Sequence, residues 1–247
     1  MSGAIIVLPV NCTPSFAFLA QHDLRAVVFD WDGVVVDSAG DYYRAYELTL
    51  HPRGILTTPH EVYLLEGMTT EQVMTRLYAD RGQSLSETAA GELARERRDI
   101  YSGLARNQLF PGVWDLITGL HAAGYRIGVV TGSTRPTMKL ALPPERERYF
   151  GAIVTGDSVT FPKPHPEPFL RAFAGLGVPP ERCLVVENAP FGVQSAQHAG
   201  ARAIALCTTL QPEDLREADW IVRDHAELRQ LLNAPRVCGA SAEPSAG

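Results

Sequence analysis

A short apolar run, Ala26-Val27-Val28-Phe29, ends on Asp30-Trp31-Asp32-Gly33. Four consecutive apolar residues are the length of a buried strand. Asp30 stands where that strand stops, Asp32 follows two residues on, and Gly33 lets the backbone turn away sharply. Two carboxylates about 4 Å apart repel by roughly 4 kcal/mol at an effective dielectric of ~20. Such a pair persists at a strand end when a cation sits beside it or one acid keeps a proton. The pair therefore predicts a buried parallel strand that delivers acids to a cation-dependent site.

Further short apolar segments follow the same rhythm. Arg25–Phe29, Arg126–Val130, Ala152–Thr155, Cys183–Val186, Ala203–Leu206 and Trp220–Val222 read as strands. Helices are expected between them at Trp114–Ala123, Arg135–Leu142, Glu167–Leu176 and Phe191–Ala199, with His225–Leu232 closing the chain. Alternation of this kind implies an α/β fold: a doubly wound parallel sheet covered on both faces. Asp41–Asn107 differs. It reads as helices over Asp41–Leu50, from Thr69 or Thr70 to about Asp80, and from Ser86 to Asn107, with His51–Pro59 as a break. The expected organisation is an N-terminal extension over 1–22, an α/β core over 23–40 and 111–235, an inserted helical cap over 41–110, and a disordered tail over 236–247.

In an open parallel sheet, ligands bind outside the carboxyl ends of the strands. Asp30, Thr131 and the pair Glu187-Asn188 each follow a strand directly, and Lys163 lies in the loop after another. The topology should gather them at one edge. Asp30 is suited to attack phosphorus and form an acyl phosphate. Asp32 is placed to act as general acid and then as general base. The Thr131 hydroxyl, the backbone N–H groups through Gly132 and Ser133, and the Lys163 ammonium would hold phosphoryl oxygens. Magnesium needs hard oxygen ligands, which Asp30, the Asp32 segment, Glu187 and Asn188 can supply.

The stretches Asp30-Trp31-Asp32-Gly33-Val34, Val130-Thr131-Gly132-Ser133, Lys163-Pro164-His165-Pro166-Glu167-Pro168-Phe169 and Val186-Glu187-Asn188-Ala189-Pro190-Phe191-Gly192-Val193 occur in that order. Together they resemble the haloacid dehalogenase superfamily, in its branch of β-phosphoglucomutase-like phosphatases. The resemblance implies a Rossmann-like core with a helical cap, an aspartyl-phosphate intermediate on Asp30, Mg²⁺ as cofactor and a small phosphorylated metabolite as substrate. It also makes Tyr42, Glu66 and Thr70 of the cap candidate substrate contacts. Mutase members carry a histidine where this chain has Tyr42 and an arginine where it has Thr70, which favours hydrolysis over phosphoryl shuttling. Glu66 resembles a glutamate of diphosphate-hydrolysing relatives, so inorganic diphosphate stays open as a substrate. A sugar-phosphate mutase stays open as well, as does a catalytically silent protein that binds a phosphate ligand on the same fold. Asn188 stands where many relatives have aspartate.

The rest of the chain limits partners. The net charge is −6 over 247 residues, which argues against a nucleic-acid surface. No apolar run reaches membrane-spanning length, and Met1–Ala20 lacks the basic start of a signal peptide. Cys12, Cys183, Cys207 and Cys238 form no C-x-x-C pair, so a reducing, cytoplasmic setting is expected. Oligomeric state is left open, with a monomer favoured.

Overall fold

The computed structural model describes residues 16–106 and 108–233. In chain order the elements are α1 (Ala17–Gln21), β1 (Ala26–Asp30), α2 (Ala39–Leu50), α3 (Pro59–Leu64), α4 (Thr70–Ala79), α5 (Glu87–Leu104) and α6 (Val113–Ala122). They continue with β2 (Arg126–Val130), α7 (Arg135–Lys139), α8 (Pro144–Glu147), β3 (Ala152–Val154) and α9 (Glu167–Leu176). The last are β4 (Cys183–Glu187), α10 (Pro190–His198), β5 (Arg202–Leu206), β6 (Trp220–Val222) and α11 (His225–Asn233).

The six strands form one sheet in the order β3-β2-β1-β4-β5-β6, and every pair is parallel. β1 and β4 are buried at every position, as expected of strands covered on both faces. Their side chains divide between two cores: Val27 and Phe29 join Ile117, Leu184 and Leu228 on one face, while Ala26 and Val28 join Phe169, Phe173 and Val193 on the other. Phe29 pairs with Val186 and Asp30 with Val130, so Asp30 and Glu187 end adjacent strands at one level. The chain runs outward in both directions from β1, and ligands of open α/β sheets bind outside the strands' carboxyl ends at such a switch point.

Residues 39–104 contribute four helices with a hydrophobic cluster of their own, centred on Tyr46, Leu50, Ile55, Val62, Met74 and Leu77. Three of these helices start on side-chain caps. Thr58 with Glu61 and Thr69 with Gln72 form reciprocal boxes, and the Ser86 hydroxyl accepts from the Ala89 amide. Two expectations need correction. The break after His51 ends at Thr58, because Pro59 takes the first position of a capped helix. The helix from Arg135 stops at Lys139, where Leu140 and Ala141 tighten into three-residue turns onto Thr137 and Met138.

Within the proposed N-terminal extension, Phe16, Phe18 and Leu19 are buried in the larger core, and the Phe18 ring meets Trp220 edge-on at 5.0 Å. The signal-peptide question and the tail over 236–247 fall on residues outside those described, apart from 16–20. Among the described residues no helix is long and apolar enough to cross a membrane.

The loop after β1 is braced from the far end of the fold. The His225 Nε2 lies 2.7 Å from the Val34 carbonyl oxygen, so it carries the donated proton, and the ring stacks on Phe110 at 4.5 Å. Burial pushes the His225 pKa down, and the Val34 carbonyl only partly opposes this. A base whose folded pKa is depressed contributes stability above its unfolded pKa of ~6.5 and loses it as pH falls through that value. Urea midpoints should therefore fall below pH ~6.5, and His225→Gln should flatten that part of the profile while lowering stability at neutral pH by about 1 kcal/mol.

Candidate active site

At the carboxyl edge the Lys163 ammonium sits 2.5 Å from Asp30 Oδ1 and 2.5 Å from Glu187 Oε1. All three side chains are buried. Lys163 reaches in from the loop between β3 and α9, over the Phe169 ring at 5.3 Å from its centroid. Burial acts to lower the lysine pKa, but the attraction of Asp30 and Glu187 outweighs it and holds the ammonium well above its ordinary range. Asp30 is pushed the other way. Desolvation, with the charges of Glu187 and Asp32, raises its carboxyl well above the usual value against the pull of Lys163.

Asp32 is held by hydroxyls. Its Oδ1 accepts from Ser38 at 3.0 Å, and its Oδ2 accepts from Thr131 at 3.1 Å and Ser133 at 2.8 Å. The Thr131 hydroxyl in turn accepts from the Ser133 amide at 2.9 Å. Ser133 does not cap the next helix; Thr134 occupies that position. Gly132 lies in the same turn and packs its carbonyl against Gly156, where a Cβ would approach within 2.2 Å.

Glu187 serves the start of α10 as well as Lys163. Its Oε2 accepts from the Asn188 and Ala189 amides at 2.9 and 3.2 Å. Asn188 is fully buried and donates through Nδ2 to Glu66 Oε2 at 3.0 Å and to the Thr209 hydroxyl at 3.2 Å. Its Oδ1 is buried without a hydrogen-bond partner. An orphaned buried amide oxygen calls for an explanation such as an ion or ligand. Among the described residues no three His, Cys, Asp or Glu converge in a ligating group. Asn188 follows Glu187 directly and offers an amide oxygen where the other candidate donors are carboxylates. The donor set remains hard oxygen throughout, which fits a magnesium-sized cation.

Of the residues singled out in the 41–110 segment, Glu66 reaches the site through Asn188. Its carboxyl is raised well above the usual range by desolvation first and then by Asp30, Asp32 and Glu187. The loop that carries it closes on the core: a Cβ on Gly67, at φ +99°, would lie 3.2 Å from Phe191 and 3.4 Å from Lys163. Tyr42 packs with Tyr46 and Tyr101 instead, at centroid distances of 5.2 and 6.4 Å. Thr70 is the first residue of α4 and makes no hydrogen bond to the acids. Sequence reasoning missed Ser38 and Thr209. Ser38 carried one signal, a hydroxyl closing the Val34–Val36 turn after the acid pair.

A haloacid dehalogenase-like hydrolase model matches residues 24–200. The chain belongs to that family. It is thus a hydrolase on a six-stranded α/β fold. Protein CbbY of Rhodobacter capsulatus is 29% identical over 213 residues, covering 82% of this chain and 94% of that protein. Phosphoglycolate phosphatase of Salmonella typhi is 29% identical over 206 residues, covering 75% and 82%. Among solved structures, a Bacteroides vulgatus protein provisionally named a β-phosphoglucomutase superposes with a TM-score of 0.75 at 28% identity, covering 87% of this chain and 93% of its own.

Two glycines leave room for Asn188 and Glu187. A Cβ on Gly33, at φ +79°, would fall 2.2 Å from Asn188 Nδ2, and one on Gly192 would fall 1.9 Å from Glu187 Oε1. Gly192→Ala should displace the Glu187 carboxylate from Lys163. The expected outcome is a loss of about 1–3 kcal/mol in urea unfolding and a sharp fall in hydrolase activity. Gly33→Ala should act in the same direction through Asn188.

Proposed function

We propose that this protein is a magnesium-dependent phosphatase of small phosphate esters that works through an aspartyl-phosphate on Asp30. The carrying observation is the convergence of Asp30, Glu187 and Lys163 within 2.5 Å contacts beside the orphaned Asn188 oxygen. The named activities of the phosphoglycolate phosphatase and CbbY relatives are consistent with this reading. Residues 39–104 act as a cap over the site, with Glu66 on its inner surface.

The chemistry needs two proton transfers and two displacements at phosphorus. A carboxylate oxygen of Asp30 bonds to phosphorus as the ester P–O bond breaks, and protonated Asp32 gives its proton to the leaving oxygen. Asp32, now a carboxylate, takes a proton from water. The water oxygen attacks phosphorus, the bond to Asp30 breaks, and inorganic phosphate leaves. The Ser38 and Ser133 hydroxyls keep Asp32 aimed through both steps, while the Thr131 hydroxyl turns from Asp32 to the phosphoryl group. Lys163, the Thr131 hydroxyl and the amides of the Gly132-Ser133 turn hold the phosphoryl oxygens. Asp30, Glu187, the Asn188 amide oxygen and the backbone at Asp32 would hold magnesium, which supplies charge neutralisation for the phosphoryl group when bound.

Hydrolysis of inorganic diphosphate is a second reading, and one observation favours it: Glu66 contacts Asn188 at 3.0 Å, which brings a cap carboxyl to the edge of the cation site.

Phosphate release from a panel of esters and inorganic diphosphate tests both readings. Release should fall to background on chelation and return with added Mg²⁺. Asp30→Asn should abolish it, and Asp32→Asn should lower it by about 10²–10⁴. Metal-independent release, or full activity in Asp30→Asn, contradicts the mechanism.

A further inference from the structure

A carboxylate offers an oxygen at either end, whereas an amide offers an oxygen at one end and two N–H donors at the other. An asparagine that serves a cation must therefore present the correct end. Asn188 faces this requirement in full burial. Its Nδ2 has two protons and two acceptors: Glu66 Oε2 at 3.0 Å and the Thr209 hydroxyl at 3.2 Å. The Thr209 hydroxyl donates its own proton to the Asn188 carbonyl oxygen at 3.4 Å, which leaves its lone pairs for Nδ2. Thr209 thus grips residue 188 through both backbone and side chain. Oδ1 is the end left without a partner among the described residues. Reversing the amide would set Oδ1 against the Glu66 carboxyl and draw the Thr209 proton off the Asn188 carbonyl.

Of the two acceptors, Glu66 arrives from the helical segment and Thr209 from the sheet itself. β5 pairs with β4, with Ala205 opposite Glu187, and Thr209 lies in the loop that follows β5. That loop is tied at three points. The Cys207 amide donates to the Val222 carbonyl oxygen at 2.9 Å, the Thr208 hydroxyl donates to the Gly33 carbonyl oxygen at 2.5 Å, and the Leu210 side chain is buried in the core. Gly33 belongs to the turn after Asp32, and it is also the residue whose missing Cβ makes room for Asn188 Nδ2. Two adjacent threonines therefore tie the loop to the turn after the acid pair and to the end of β4. A hydroxyl fixed in this way can set the direction of an amide.

Resting on the magnesium-dependent reading above, we propose that Thr209 is a positioning residue: its hydroxyl holds the Asn188 amide so that Oδ1, and not Nδ2, is presented to the cation. It acts through Asn188 alone. Partners that orient a ligand in this way typically change metal affinity by about 10–100-fold. An aspartate at position 188 would need no such partner, because its two oxygens are equivalent.

Mn²⁺ is the probe, a cation that shares magnesium's preference for oxygen donors. The EPR signal of the free ion gives the dissociation constant for the full chain without substrate, and competition by Mg²⁺ assigns the binding to the magnesium site. Thr209→Val keeps the shape and removes the hydroxyl; it should weaken binding about tenfold or more. Thr209→Ser should restore most of the affinity. In the Asn188→Asp background, Thr209→Val should change the affinity by less than about twofold. An equal loss in both backgrounds overturns the proposal, because it marks a displaced loop and not a released amide. So does unchanged binding in Thr209→Val. If Thr209→Val fails to fold, Thr209→Ala carries the same comparison. The two readings fail separately. Binding that is indifferent to Thr209, with metal-dependent phosphate release intact, overturns the role of Thr209 alone. Binding that depends on Thr209, with no release from any ester, supports that role and overturns the phosphatase reading. Absence of Mg²⁺-competed binding in the unaltered protein overturns both.

Discussion

Everything at the carboxyl edge depends on one ammonium shared between two strands. Lys163 bridges Asp30 at the end of β1 and Glu187 at the end of β4, and those strands are neighbours in register. Without it, two buried carboxylates would face each other where water cannot screen them. Leaving a buried charge unpaired costs about 3–5 kcal/mol. In the proposed mechanism the same ammonium meets the phosphoryl oxygens. Stability of the sheet edge and readiness for an anionic ligand thus rest on one contact.

The remaining acids make the edge more negative than one lysine can offset. Asp32 lies in the next turn, and Glu66 comes across from the helical segment to Asn188. Desolvation first, and the neighbouring negative charges after it, push the carboxyls of Asp30 and Glu66 up. A divalent cation beside the orphaned Asn188 oxygen would relieve the excess of negative charge. The glycines at 33 and 192 fit this picture, since each leaves a space that a methyl group would take from Asn188 or Glu187.

Much of this was readable in the sequence because it depends on strand ends. Apolar runs of four or five residues located the strands, and a parallel sheet brings their carboxyl ends together whatever their separation in the chain. Asp30, Thr131, Lys163 and Glu187 were therefore legible as a set. Groups that arrive by other routes were not. Ser38 reaches Asp32 through a local turn, and Thr209 reaches Asn188 from the loop after β5. The helix at Pro59–Leu64 was hidden by Pro59 and His60, although Thr58 and Glu61 carried a capping-box spacing. Arg97 of α5 is buried among the rings of Tyr42, Tyr46 and Tyr101, and its strongly charged helix gave no sign of this, because only the packing of α5 against α2 turns it inward.

The central claim is that Asp30 itself carries the phosphoryl group during turnover. Rapid mixing of the magnesium-loaded enzyme with a hydrolysed ester, acid quenching within the first turnover and peptide mass spectrometry test it directly. The account predicts a transient phosphoryl adduct on Asp30 that decays as inorganic phosphate appears. An adduct on another residue, or full phosphate release with no adduct at any quench time, would contradict it.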